Sequence, residues 1–157
     1  MIGTLTNEQM EQVLQSGLIG RIGCADETGV YIVPVTYVFH DKCIYIHSRE
    51  GVKIQIMRNN PQVCFEVDSI ESMTNWRCVI VHGNFKELKG EAAYSKGFKI
   101  LKDRLMPYLL SETTRPQGFD QSPQIVEKER KPVVYRIEIT RMTGRYEKNT
   151  NPGKLPR

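Results

Sequence analysis

A mainly β fold, an antiparallel barrel or sandwich with two or three helices at its margins, is predicted for this 157-residue chain by three observations. About six short runs are rich in β-branched and aromatic residues and alternate apolar with polar positions. Val63, Phe65 and Val67 against Cys64, Glu66 and Asp68 make the clearest case. Tight-turn residues such as Asp26-Glu27-Thr28-Gly29 and His40-Asp41-Lys42 separate neighbouring runs, which joins them antiparallel. Helical spacing is confined to a few stretches between them.

The elements follow in order. Thr6-Asn7-Glu8-Gln9 reads as a capping box, with Leu5 and Met10 at the staple positions and Gly17 as the stop. Met10, Val13 and Leu14 share one face, so this short helix plugs one end of the sheet structure. Strands are expected at Leu18 to Cys24 and at Val30 to Phe39. Pro34 cannot donate to a ladder, which places a bulge or a free edge in the second of these. Cys43 to His47 forms the next strand, and Gly51 to Asn59 a short helix ended by Asn60-Pro61. In that helix Val52, Ile56 and Asn59 lie near one face, with Ile54 and Met57 on another.

After the strand through Val63 to Asp68, Ser69 to Thr74 reads as a polar connector. Trp76 to Leu88 is a long strand, with a bulge or sharp bend expected at Gly83. Gly90 to Leu110 reads as helix, with Tyr94, Phe98, Leu101 and Leu105 as a packing stripe and Pro107 disrupting its end. Residues 111–131 form an irregular loop, and Val133, Tyr135, Ile137 and Ile139 mark a last strand. The chain thus reads as one domain over 1–145 and a frayed tail over 146–157.

Composition bounds the function. With 39% hydrophobic and 25% charged residues, the chain can bury a core and is not disordered over most of its length. The net charge of +4 is mild, and few lysines or arginines interleave with Tyr31, Tyr37 and Phe39, so no nucleic-acid partner is expected. Cys24, Cys43, Cys64 and Cys78 stand singly, with no C-x-x-C pair, and read as buried reduced thiols rather than a metal site. His40 and Cys43 flank a turn and lack a second ligand pair. The polar, acidic start is unlike a signal peptide, and no apolar run reaches membrane-spanning length, which points to a cytoplasmic protein without a membrane partner.

The chemistry-bearing stretch is His47-Ser48-Arg49-Glu50-Gly51-Val52-Lys53, where a strand passes into a helix. Free amides at a helix start favour an anion, and Lys53 in the first turn is placed to pair with a phosphate, or is a solvated surface lysine. Ser48 either donates to that anion or caps the helix. His47, ordinarily titrating near ~6.5, is a candidate proton donor or a structural histidine. Trp76 and Arg77 suit a planar ring or a phosphate, or else Trp76 is core. No dinucleotide-binding, P-loop or Ser-His-Asp pattern is visible.

The ordered pieces Gly20-Arg21-Ile22-Gly23, Pro34-Val35-Thr36-Tyr37, Tyr45-Ile46-His47-Ser48 with Gly51 and Lys53, Asn60 to Glu66, Trp76-Arg77-Cys78-Val79 with Gly83, and Thr140 to Gly144 carry a resemblance. They resemble the FMN-binding split barrels of the pyridoxamine 5′-phosphate oxidase-like superfamily, closest to the nitroimidazole-resistance (Nim) branch. The resemblance implies a six-stranded antiparallel split β-barrel with flanking helices. It implies a homodimer with FMN in grooves between subunits, acting as a flavin-dependent oxidoreductase on a small molecule such as a 5-nitroimidazole. A non-catalytic flavin- or haem-binding module on the same barrel is the alternative. By the same resemblance Ile46, His47, Ser48, Gly51 and Lys53 hold the phosphate and ribityl chain, and His47 is catalytic. Val33, Pro34, Val35 and Thr36 lie along the isoalloxazine, with Trp76, Arg77 and Cys78 lining the groove. Tyr31 and Thr36 stand where the true oxidases carry phosphate-binding arginine and lysine, and their C-terminal substrate signature is missing, so vitamin B6 oxidation is not expected.

Overall fold

The computed structural model describes residues 1–108 and 131–149. Its strands are β1 (Ile2–Thr4), β2 (Ile19–Asp26), β3 (Gly29–His40), β4 (Cys43–Ser48), β5 (Gln62–Ser72), β6 (Asn75–Glu87) and β7 (Val133–Lys148). Its helices are α1 (Asn7–Ser16), α2 (Val52–Asn59) and α3 (Glu91–Leu105). The sheet order is β1-β7-β4-β3-β2-β5-β6, and a β7–β6 pairing closes six strands into an antiparallel ring with β1 added outside it. The expected split barrel is therefore the fold. β1 escaped the sequence because three residues are too few to show a period.

Two polar stretches turn out to be strand. β5 continues to Ser72, and Ser72 pairs with Asn75 around the Met73-Thr74 turn, where a connector was expected. β7 runs on through Lys148, so Tyr146, Glu147 and Lys148 belong to the sheet and not to a tail. The β5 extension is exposed and held by its backbone ladder to β6, whereas β7 keeps an inward row in Met142, Gly144 and Tyr146 against the core. β7 is flanked by β6 along most of its length, by β4 over Val133–Glu138 and by β1 over Arg145–Glu147. The expected bulge lies at Gly83: Thr140 is left out of register there, and its hydroxyl donates to the His82 carbonyl at 3.0 Å. A Cβ at Gly83 would stand 2.5 Å from the Glu138 carbonyl oxygen.

Helices cover part of this ring. The α1 capping box forms as predicted, and Met10, Val13 and Leu14 close one end of the barrel. The Tyr37 hydroxyl, fully buried, donates to the Leu14 carbonyl at 2.7 Å and ties that helix to β3. α3 lays Tyr94, Phe98, Leu101 and Leu105 on the outer side of β3, β4 and β7, against Val38, Tyr45 and Val134. It stops at Leu105, short of the expected Leu110, and a single 3-10 turn, Met106–Tyr108, follows around Pro107. The expected loop over 111–131 lies outside the described residues except at Lys131, as do residues 150–157. α2 buries Ile54, Ile56 and Met57 together and leaves Val52 exposed, which corrects the expected division of its faces. Among the described residues no helix covers the outer side of β2, β5 and β6, where Val30 and Ile32 of the adjoining β3 are 76% and 68% exposed.

Candidate functional site

The ladder between β3 and β4 runs from His40↔Cys43 to Tyr37↔Ile46 and then stops. Continued by one step, it would set Thr36 opposite His47; instead β4 leaves β3 and turns toward α2. Gly29 to Thr36 is paired with β2 alone, in unbroken register, so Pro34 sits on a free edge and not in a bulge. Val33, Pro34, Val35 and Thr36 therefore stand on the unpaired edge of β3. Ile46 ends the shared ladder, and His47, Ser48, Gly51 and Lys53 follow it away from β3 and into α2.

The start of α2 is built for negative charge. Its first intrahelical bond is Gln55 N–H to the Gly51 carbonyl at 3.1 Å, and no side chain caps the amides of Val52, Lys53 and Ile54 that precede it. Gly51 is extended, and a Cβ there would meet nothing within 4 Å, so the loop faces open space. Lys53 is half-buried and has no carboxylate partner among the described residues; burial lowers its pKa, and the nearby Cys24 thiol partly offsets this. A partly desolvated, unpaired ammonium beside uncapped amides is a ready phosphate ligand. Ser48 does not cap the helix: it is buried beside the Tyr135 phenol, whose pKa burial raises.

His47 differs from its sequence expectation in protonation. Burial first, and then the charge of Lys53, push its pKa down to about 4. At neutral pH the imidazole is neutral in the free protein, so it is not a standing imidazolium donor.

Trp76, Arg77 and Cys78 are not brought to this opening. Trp76 pairs with Glu147 and His47 with Val134, so the two lie at opposite ends of β7, about 40 Å apart along the strand. Trp76 is only half-buried and donates from Nε1 to Glu147 Oε2 at 3.1 Å, in a recess of about 430 Å³ that Arg77 also lines. Cys78 lies on the uncovered outer face, where its thiol donates to Glu66 Oε1 at 3.3 Å and is pushed up to about 12 by burial and by Glu66.

That outer face holds what sequence reasoning missed. Arg21 donates from Nε to Glu66 at 2.7 Å and also binds Asp68, joining β2 to β5. A groove of about 740 Å³ runs beside this cluster over Ile32, Gly23, Cys64 and His82, reaching Cys24, which feels the Lys53 charge. Its volume suits a small-molecule site. The alternation of Arg21, Glu66 and Asp68 with apolar neighbours was the available signal, but it gives a polar face without saying which strands adjoin. Among the described residues no group of three or more His, Cys, Asp or Glu side chains is arranged to hold a metal, and all four cysteines are free thiols.

A family model described as pyridoxamine 5′-phosphate oxidase matches residues 6–146. An uncharacterized protein of Rhizobium meliloti (strain 1021) is 27% identical over 148 residues, covering 92% of this chain and 94% of its own length. A crystal structure of a FAD-binding protein from Mesorhizobium loti superposes with a TM-score of 0.74 at 26% identity, covering 93% of this chain and 98% of the other. A candidate 5-nitroimidazole antibiotic resistance protein from Bacteroides thetaiotaomicron shares the fold, with a TM-score of 0.66 at 16% identity over 93% and 89% of the two chains.

Proposed function

Because the chain belongs to the pyridoxamine 5′-phosphate oxidase family, we propose that it is a flavoprotein that binds FMN at the opening between β3 and β4. The observation that carries the reading is Lys53, without a carboxylate partner among the described residues and set among the uncapped amides at the start of α2. Lys53, Ser48 and the open side of Gly51 would take the phosphate. The free edge at Val33 to Thr36 offers unpaired backbone groups to the rim of a planar ring. Bound flavin would supply hydride and electron chemistry, while the protein orients it. We assign the protein to the flavin-dependent oxidoreductases, with small nitro compounds as the substrate class to test first. In that role His47, neutral in the free protein, would gain basicity beside a phosphate dianion and so become able to hold and pass a proton from its imidazole.

The likeness to a FAD-binding protein supports a flavin, and the likeness in fold to a nitroimidazole-resistance protein suggests the substrate class. The distance between Trp76 and His47 supports a second copy in the site. One chain cannot present both sets to one ring, whereas a homodimer packed on the uncovered face around Ile32 would bring Trp76, Arg77 and Cys78 of one copy toward the opening of the other. Among the described residues no helix is long and apolar enough to cross a membrane.

The deciding experiment is release of the cofactor by heat from purified protein, with mass spectrometry to tell FMN from FAD, riboflavin and haem. Lys53→Met should weaken FMN binding at least about tenfold, the scale of one charge-assisted hydrogen bond. Equal affinity in wild type and variant would refute the phosphate site. At equal flavin occupancy, unchanged nitro-reduction in His47→Ala would remove its catalytic role. Ile32→Glu should yield monomer in sedimentation, and an unaltered dimer would exclude this face as the interface.

A further inference from the structure

The loop that delivers Lys53 is anchored from an unexpected place. Arg58, in the last turn of α2, donates to Glu87 from Nε at 2.9 Å and from Nη2 at 2.8 Å. It also donates to Glu50 from Nη1 at 2.9 Å and from Nη2 at 2.6 Å. Glu50 lies in the loop immediately before Gly51, and Glu87 is the last residue of β6. A single guanidinium thus fastens the loop to the far end of its own helix and to the barrel wall. Exposed ion pairs are usually worth little, but geometry of this forked kind in a network is the exception.

Charge is sorted at the same time. The loop and the adjoining strand end carry two carboxylates, which unpaired would repel a dianion. Arg58 takes both, and its proximity holds the Glu87 carboxyl below the usual range, with Lys89 4.0 Å away as a minor helper. Arg49 and Lys53 are left with no carboxylate partner among the described residues, so the cations that remain uncommitted are those flanking Gly51. We propose that Arg58 is a positioning residue for the phosphate group: by clamping Glu50 and Glu87 it both fixes the loop that presents Lys53 and keeps negative charge off the anion it receives. The proposal rests on the phosphate site assigned above to Lys53.

The test uses the full chain stripped of flavin and titrated with FMN and, separately, with riboflavin, which lacks the phosphate. Arg58→Met should weaken FMN about tenfold and leave riboflavin within about twofold. Arg58→Lys, which keeps the charge and loses the fork, should recover part of that loss. Equal losses for both ligands would mean a structural staple only and overturn the proposal, as would no loss for either. If Arg58→Met does not fold, Arg58→Lys decides alone, by weakening FMN and not riboflavin or by failing to. Lys53→Met run in parallel separates the two claims. If it abolishes the preference for FMN while the Arg58 variants keep it, the clamp fails and the phosphate site stands. A wild-type protein with no preference for FMN over riboflavin overturns both.

Discussion

Acidification should find His47 before most other groups. In the folded protein its pKa lies at about 4, against an ordinary value of 6.5, because the imidazole is buried and faces the Lys53 ammonium. Between these values the unfolded chain carries a proton on His47 that the folded chain does not. Stability is therefore unaffected above the ordinary value, falls as pH drops through it, and is fully reduced once the folded-state value is passed. The depression corresponds to a loss of about 3 kcal/mol from this one group. Urea unfolding of flavin-free protein at steps between pH 7.5 and pH 4, in wild type and in His47→Gln, isolates it, since the slope lost in the variant belongs to His47. Lys53→Met should move the imidazole pKa upward by removing the neighbouring charge, and so should FMN, whose phosphate has the opposite charge; riboflavin should not. The imidazole resonances in NMR report this directly. Titration of His47 near its ordinary value in flavin-free protein would refute the reasoning. Equal pH slopes in wild type and His47→Gln would do the same.

Three further outcomes follow from packing. Gly83→Ala should destabilise by about 2–3 kcal/mol in chemical denaturation, because the added methyl meets the Glu138 carbonyl at 2.5 Å and backbone there cannot give way cheaply. Gly51→Ala should change stability by less than about 0.5 kcal/mol, as its backbone is extended and its side faces open space, yet it should weaken FMN if the phosphate occupies that space. Tyr37→Phe should cost about 1–2 kcal/mol and lower the thermal midpoint by several degrees, since the Leu14 carbonyl loses its buried donor.

Much of the barrel was legible because its core strands repeat with a period of two. Val63, Phe65 and Val67 all point inward, and so do Ile44, Ile46 and Ile137. The capping box at Thr6 and the bulge at Gly83 were equally readable, since each depends on local chemistry. Sequence failed where a strand is held by its neighbour rather than by burial, as in Ser69–Ser72, and at the end of β7, where only Tyr146 packs inward among the last three residues. The His47–Lys53 loop was visible as a strand-to-helix junction, but its electrostatics were not, because the Cys24 that faces Lys53 arrives from a strand far earlier in the chain. Arg58 was invisible for the same reason: nothing local joins it to Glu87, and only the fold brings them together.

The strand β7 also has a consequence in time. Ile2 pairs with Glu147, and the two edges left open by β4 and β6 are both closed by residues from Val133 onward. A ribosome delivers these residues well after the others, so a nascent chain must carry an incomplete, open-edged sheet until they emerge. Such long-range closure is slow compared with local pairing, and unpaired edges invite association with other chains. Production at low temperature, or with holding chaperones that shield β4 and β6, should therefore raise the soluble yield.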